Sequence, residues 1–191
     1  MEVKTLFPSL VITEELEVDN QALVEFSYKI ADTEASELKS NEGGYQSRSL
    51  QDAPELQLLL AQINSVLNNV HKEFGFKDSL KQEVKSCWIN INGPGCFNKP
   101  HLHPGAFFSG VYYVKAEKFA GALEILNPIG GHPYSINEDA IETKNMYSTD
   151  RHWEQPEAGK LVIFSPWLSH FVQPNHSGGD RISIAFNSFL V

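Results

Sequence analysis

The stretch Val84-Lys85-Ser86-Cys87-Trp88-Ile89-Asn90-Ile91-Asn92 decides the class of fold. With a side-chain period of two, Trp88, Asn90 and Asn92 fall on one face of an extended strand and Cys87, Ile89 and Ile91 on the other. Arg181-Ile182-Ser183-Ile184-Ala185-Phe186-Asn187 repeats the pattern, with Ile182, Ile184 and Phe186 opposite Arg181, Ser183, Ala185 and Asn187. Between these two runs the segments Ser109 to Lys115, Gly121 to Leu126 and Leu161 to Ser165 also have strand character. Pro and Gly punctuate every gap, as in Gly93-Pro94-Gly95. Several short strands with regular turns predict an antiparallel sandwich or barrel.

Upstream of residue 84 the texture is helical. Asp19 caps a helix whose buried stripe is Leu23, Phe26 and Ile30. Asp52-Ala53-Pro54-Glu55 opens a second helix, with Pro in its first turn. Leu56, Leu59, Leu60, Ile63, Val66, Leu67 and Val70 form its 3.6-residue stripe until Gly75 stops it. Leu6 to Ile12 is expected as a short apolar strand, and Asn41 to Ser47 as a turn entering another. The expected architecture is mainly β with flanking helices, a jelly-roll whose N-terminal helices pack on one sheet. Residues 1–191 form a single domain, with 1–83 helical and 84–191 the strand core. Residues 127–158 are expected as a long loop with one edge strand.

The chain has 191 residues, 41% of them apolar, so it can bury a sizeable core unaided. Its net charge of −9 disfavours phosphate backbones and hence general nucleic-acid binding. No apolar run approaches the roughly 20 residues needed to span a bilayer. Met1-Glu2-Val3-Lys4 begins no signal peptide. The two cysteines, Cys87 and Cys96, make no disulfide framework, which suits a reducing cytoplasm. The sequence is compatible with an oligomer.

Seven histidines are present, and two are adjacent in alternation, His101-Leu102-His103. On an extended strand, positions i and i+2 point the same way, so one ion can take both imidazoles. His170 follows the strand Leu161–Ser165, which in a sandwich can lie beside the pair. Three inward nitrogens would then make a facial metal site. His71, His132, His152 and His176 are not expected among its ligands. An arginine on the inner face, as Arg181 would be, is costly unless it meets an anion. With the hydroxyl of Ser183 two residues on, it suits a carboxylate. Alternatively, Arg181 pairs with an acid at the mouth of the strand.

The succession His101-x-His103-Pro104, Ser109 to Val114, Pro156-x-x-Gly159-Lys160 to Phe164, His170 and Arg181-x-Ser183-x-Ala185-x-Asn187 resembles a family of small 2-oxoglutarate and Fe(II)-dependent oxygenases. These are distantly similar to prolyl hydroxylases. The resemblance covers residues 84–191. Gly43-Gly44-Tyr45 and the following helix fit more loosely, Tyr45 standing where the family usually has Trp. The resemblance implies a double-stranded β-helix and iron held by His101 and His170. Arg181 and Ser183 would bind the distal carboxylate of 2-oxoglutarate, with Tyr113 reaching the same group. Asn90 would serve the carboxylate near the metal, a role for which Asn187 competes. The wider superfamily has Asp or Glu where this chain has His103. Either His103 completes the ligand set or an acid such as Glu124 does.

The implied activity is O2-dependent conversion of 2-oxoglutarate to succinate, coupled to hydroxylation of a small metabolite, an amino acid or a prolyl peptide, with ascorbate supportive in vitro. Trp88, Phe107, Phe108 and Trp167 are expected to wall the pocket. His132, Tyr147, His152 and Trp153 are expected to set specificity from a lid. Two other readings fit many of the same residues: a three-His cupin-type enzyme that does not use 2-oxoglutarate, and a non-catalytic jelly-roll that binds a sugar or peptide.

Overall fold

The computed structural model describes residues 1–2, 4–129, 139 and 141–191. Its strands are β1 (Val11–Glu15), β2 (Asn41–Glu42), β3 (Tyr45–Gln46), β4 (Gln82–Asn92), β5 (Phe97–His101), β6 (Phe108–Lys115), β7 (Leu123–Leu126), β8 (Arg151–Glu154), β9 (Lys160–Phe164), β10 (His170–Val172) and β11 (Arg181–Leu190). Two helices, α1 (Asn20–Thr33) and α2 (Gln57–Glu73), precede β4. The strands form two antiparallel sheets, a major one in the order β1-β9-β6-β11-β4-β3 and a minor one in the order β2-β5-β10-β7-β8. Facing sheets with interleaved strand order make the expected jelly-roll.

The N-terminal part does more than supply helices, since β1 and β3 join the major sheet and β2 the minor one. The first strand starts later than its apolar run suggests. Leu6 and Phe7 are exposed, and pairing begins where Val11 meets Phe164. Pro8 offers no N–H to a ladder, so the run before it cannot extend the strand.

α1 is capped as expected, Asp19 accepting the N–H of Ala22 at 3.1 Å. Ser27 is the third buried residue of its stripe, with its hydroxyl returned to Leu23 O at 2.7 Å, and Ile30 is only half-buried. A 3-10 turn, Pro54–Leu56, leads into α2, and Gly75 ends it at φ 70°. That positive φ is one that a residue with a Cβ rarely adopts.

Leu23, Phe26, Leu56, Leu59, Ile63 and Leu67 of the helical layer form one cluster with Cys87, Ile89, Ile182, Ile184 and Phe186 of the major sheet. Each such side chain contributes about 1.5–3 kcal/mol on burial. The main core thus lies between helices and sheet. A smaller cluster of Tyr113, Leu123, Ile125, Val162, Phe164 and Leu168 fills part of the space between the two sheets. The inner face of the major sheet is therefore free to carry polar groups.

Candidate metal centre and cavity

Register places those polar groups in rows. Gln46, Asn90, Ser183 and Tyr113 lie side by side across β3, β4, β11 and β6. The next inner row holds Trp88, Ala185 and Val111, and Arg181 sits beside Asn92 at the far end. Together with the minor sheet they bound a cavity of about 600 Å³.

The histidines converge on it from the minor sheet. β5 pairs with β10 so that His101 stands directly opposite His170. The neighbouring strand is therefore β10, a three-residue strand of the other sheet, and not the Leu161–Ser165 run. That run became β9, which pairs β1 and β6 in the major sheet. His103 lies just beyond the end of β5. The turn at Pro104–Gly105 begins there, and the His103 N–H is held by Pro166 O at 3.0 Å.

The ligand atoms of His101, His103 and His170 all lie within 4.8 Å of one another, the one such cluster among the described residues. His101 Nδ1 donates to Lys99 O at 2.7 Å and His170 Nδ1 to Leu168 O at 2.9 Å. A carbonyl cannot donate, so both rings carry their proton on Nδ1 and turn the Nε2 lone pair inward. This is how metal-ligating imidazoles are commonly oriented. His103 Nε2 is 3.2 Å from His170 Nε2. Two lone pairs at that separation repel unless a proton or a cation lies between them. Two imidazole nitrogens at right angles on an ion about 2.1 Å away would stand about 3 Å apart. The donor set therefore fits a divalent first-row metal.

Burial lowers the pKa of all three rings, His103 to about 4 and His170 to about 3, and the nearby His101 imidazole further disfavours charge on His103 and His170. They are neutral at pH 7, as ligation requires. In the unfolded chain they titrate near 6.5. Between those values the unfolded chain takes up protons that the folded chain refuses. Stability is thus retained in full above pH ~7 and lost as pH falls toward 4. Urea midpoints of chelator-treated protein should be lower at pH 5 than at pH 7.5, and His103→Leu should flatten the difference. An equal midpoint at both pH values would contradict it.

Glu124, the alternative acid, points to the other face of β7. It is buried and occupied by Arg151 and by Gln173 Nε2 at 2.9 Å. Arg181 is 1% exposed. Its Nη1 donates to the carbonyls of Ala120, Gly121 (3.1 Å) and Gln173 (3.3 Å), and no acid among the described residues pairs with it. Its Nη2 is equally buried and has no partner among the described residues. A buried guanidinium N–H left unpaired at a cavity wall calls for an external anion. Tyr113, pushed up to about 12 by burial, is a neutral phenol beside that cation. Asn90 Oδ1 is also buried with no partner among the described residues, whereas Asn187 Oδ1 already accepts from Ser109 Oγ at 2.7 Å.

Of the four aromatics expected to wall the pocket, Trp88 does so, its ring centroid 5.8 Å from that of His103. Phe107 and Phe108 do not line it. They pack at 5.2 Å on Phe76 and 5.7 Å on Phe74, beyond the end of α2. Trp167 is half exposed and lines no part of the cavity. Phe164, 4.5 Å from the His170 ring, fills the role instead. Of the expected lid residues, His132 lies outside the described residues. Tyr147, His152 and Trp153 are exposed and do not line the cavity, and His152 Nε2 bonds to Glu154 at 2.7 Å. His71 is buried away from the cluster, and its Nε2 donates to Lys77 O at 3.0 Å. Polar residues of the 37–49 segment, including Gln46, Arg48 and Ser49, rim the mouth. Their short strands, two residues each, left no periodic signal in the sequence.

Residues 86–187 match a family model described as "Putative 2OG-Fe(II) oxygenase". No curated protein sequence matches the chain. Among solved structures, a prolyl-4-hydroxylase of Pseudomonas putida is similar at 17% identity and TM-score 0.63, over 93% of this chain and 91% of that one. A prolyl hydroxylase of Trichoplax adhaerens, in complex with a hypoxia-inducible-factor peptide fragment, is similar at 12% identity and TM-score 0.64, over 94% and 83%. HygX of Streptomyces hygroscopicus, with nickel, 2-oxoglutarate and hygromycin B bound, is similar at 11% identity and TM-score 0.61, over 93% and 82%. At these identities the likeness speaks for the fold.

Proposed function

The chain belongs to the 2OG-Fe(II) oxygenase family, and from that membership we propose that His101, His103 and His170 hold Fe(II) while Arg181 anchors 2-oxoglutarate across the same cavity. The observation that carries this reading is the pairing of three inward imidazoles with a buried guanidinium whose Nη2 has no partner. When bound, the iron supplies O2-dependent oxidation of 2-oxoglutarate to succinate, coupled to hydroxylation of a second substrate. The protein's own groups do the rest. Arg181 Nη2, with the hydroxyls of Tyr113 and Ser183, binds the distal carboxylate, hydrogen bonds to an ionised acceptor being stronger than neutral ones. Asn90 serves the end nearer the histidines. Leu123, Val172 and Phe164 exclude water around the chain between the two carboxylates.

His103 replaces a carboxylate with a neutral ring, so the ligand set carries no charge. The dianionic co-substrate offsets the missing charge. The second substrate enters past the 37–49 segment and Trp88, and is a small molecule or a peptide. Residues 1–191 act as one domain, because strands from before residue 84 complete both sheets. Two unpaired thiols suit a reducing compartment such as the cytoplasm. Ascorbate would support turnover in vitro by keeping the iron reduced. No helix of the described residues is long and apolar enough to cross a membrane.

Anaerobic calorimetry tests the shared cavity. One Fe(II) per chain is expected, and 2-oxoglutarate should bind the loaded protein at least about ten-fold tighter than the metal-free protein, with the same factor returned in Fe(II) affinity. Independent binding of the two would argue against it.

A further inference from the structure

Arg181 is aimed by a cage of carbonyls, and that cage is itself built on unusual backbone. Ala120, whose carbonyl accepts from Nη1, is flanked by two residues in the left-handed region, Phe119 at φ 69° and Gly121 at φ 87°. Such backbone at a bulky aromatic is costly and persists only where surrounding contacts over-determine it. The Phe119 side chain is exposed, with only the Lys118 ammonium over its ring at 5.0 Å, and its carbonyl accepts the His176 N–H at 2.9 Å, so the conformation is held through the backbone. A Cβ on Gly121 would stand 2.7 Å from Pro174 O and 2.8 Å from Arg181 Nη1.

The third carbonyl belongs to Gln173, and Gln173 is stitched down on every side. Its N–H donates to Ala122 O at 2.9 Å, and its Oε1 accepts Ala122 N–H at 3.3 Å. Its Nε2 donates to Glu124 Oε2 at 2.9 Å. Glu124, 3% exposed, is ion-paired to Arg151 on the edge strand β8. None of Gln173, Glu124 and Arg151 lines the cavity. A buried carboxylate here is otherwise an unrewarded cost, since the sheet could close with an apolar residue.

We infer that Gln173, braced by the Glu124–Arg151 ion pair, is a positioning residue for the co-substrate. It fixes the β7–β10 junction so that Arg181 Nη1 is consumed by the cage and Nη2 is presented to the carboxylate. This rests on the reading of Arg181 as the anchor. It also ties 2-oxoglutarate binding to β8, at the C-terminal end of the 127–158 segment.

The test is the affinity of the anaerobic Fe(II) form for 2-oxoglutarate, measured per folded molecule. Gln173→Met keeps the length and removes both side-chain bonds. It should weaken binding about five- to thirty-fold, the range expected for one or two hydrogen bonds. Gln173→Glu sets two carboxylates against each other and should cost at least as much. The reciprocal pair Gln173→Glu with Glu124→Gln restores one donor and one acceptor with their roles exchanged but gives up the charge opposite Arg151, and should recover part of the affinity that Gln173→Glu loses. Wild-type affinity in Gln173→Met, or no rescue by the reciprocal pair, would overturn the inference while Arg181→Ala still loses binding. Undiminished binding by Arg181→Ala would instead overturn the anchor, and the inference with it.

Discussion

Arg181→Ala should weaken 2-oxoglutarate binding by roughly 30-fold to several thousand-fold. Truncating one side of a buried, charge-assisted contact costs about 2–5 kcal/mol, and each 1.4 kcal/mol is a decade in affinity. Arg181→Lys should recover only part of this, because an ammonium lacks the planar fork that lets one nitrogen serve the cage and the other the ligand. The alanine variant also strips three buried carbonyls of their donor, so some loss of thermal stability is expected alongside. The two effects separate by measurement. Affinity per folded molecule, taken well below the melting temperature, should collapse if Arg181 is the anchor and should hold if its role is confined to the cage.

The second large effect concerns the histidines. His170→Ala should lower Fe(II) affinity by at least about 100-fold, since even groups that merely orient a ligand cost 10–100-fold when removed. His170 is the most buried of the three and is locked by Leu168 O. His101→Ala and His103→Ala should behave alike, because three neutral nitrogens share the ion. His152→Ala and His176→Ala lie outside the cluster and should leave affinity unchanged. A His103→Ala protein with wild-type affinity would remove His103 from the ligand set.

Much of this was legible in the sequence because alternation is a local property. Period alone puts Trp88 and Asn90 on one face of their strand and Arg181 and Ser183 on one face of theirs, and register brings Asn90 and Ser183 side by side. The short strands were not legible. β10 is three residues long and β5 contains a proline, so neither shows a period, and the true neighbour of His101 emerged only from pairing. Phe107 and Phe108 illustrate another limit. An aromatic pair near a histidine motif carries no signal for which side of a sheet it will join, and the open end of α2 took both. Glu124 was visible as an acid but not as an occupied one. Its partners Arg151 and Gln173 lie 27 and 49 residues away in the chain.

The most direct measurement is succinate formation from 2-oxoglutarate by the purified protein supplied with Fe(II), in air and under argon. Succinate should appear in air, even slowly and without a second substrate. It should be absent under argon, after chelation, and in His170→Ala and Arg181→Ala. A wild-type protein that binds one Fe(II) at the three histidines yet neither binds 2-oxoglutarate nor converts it would contradict the account and favour a three-histidine metal site of the cupin kind.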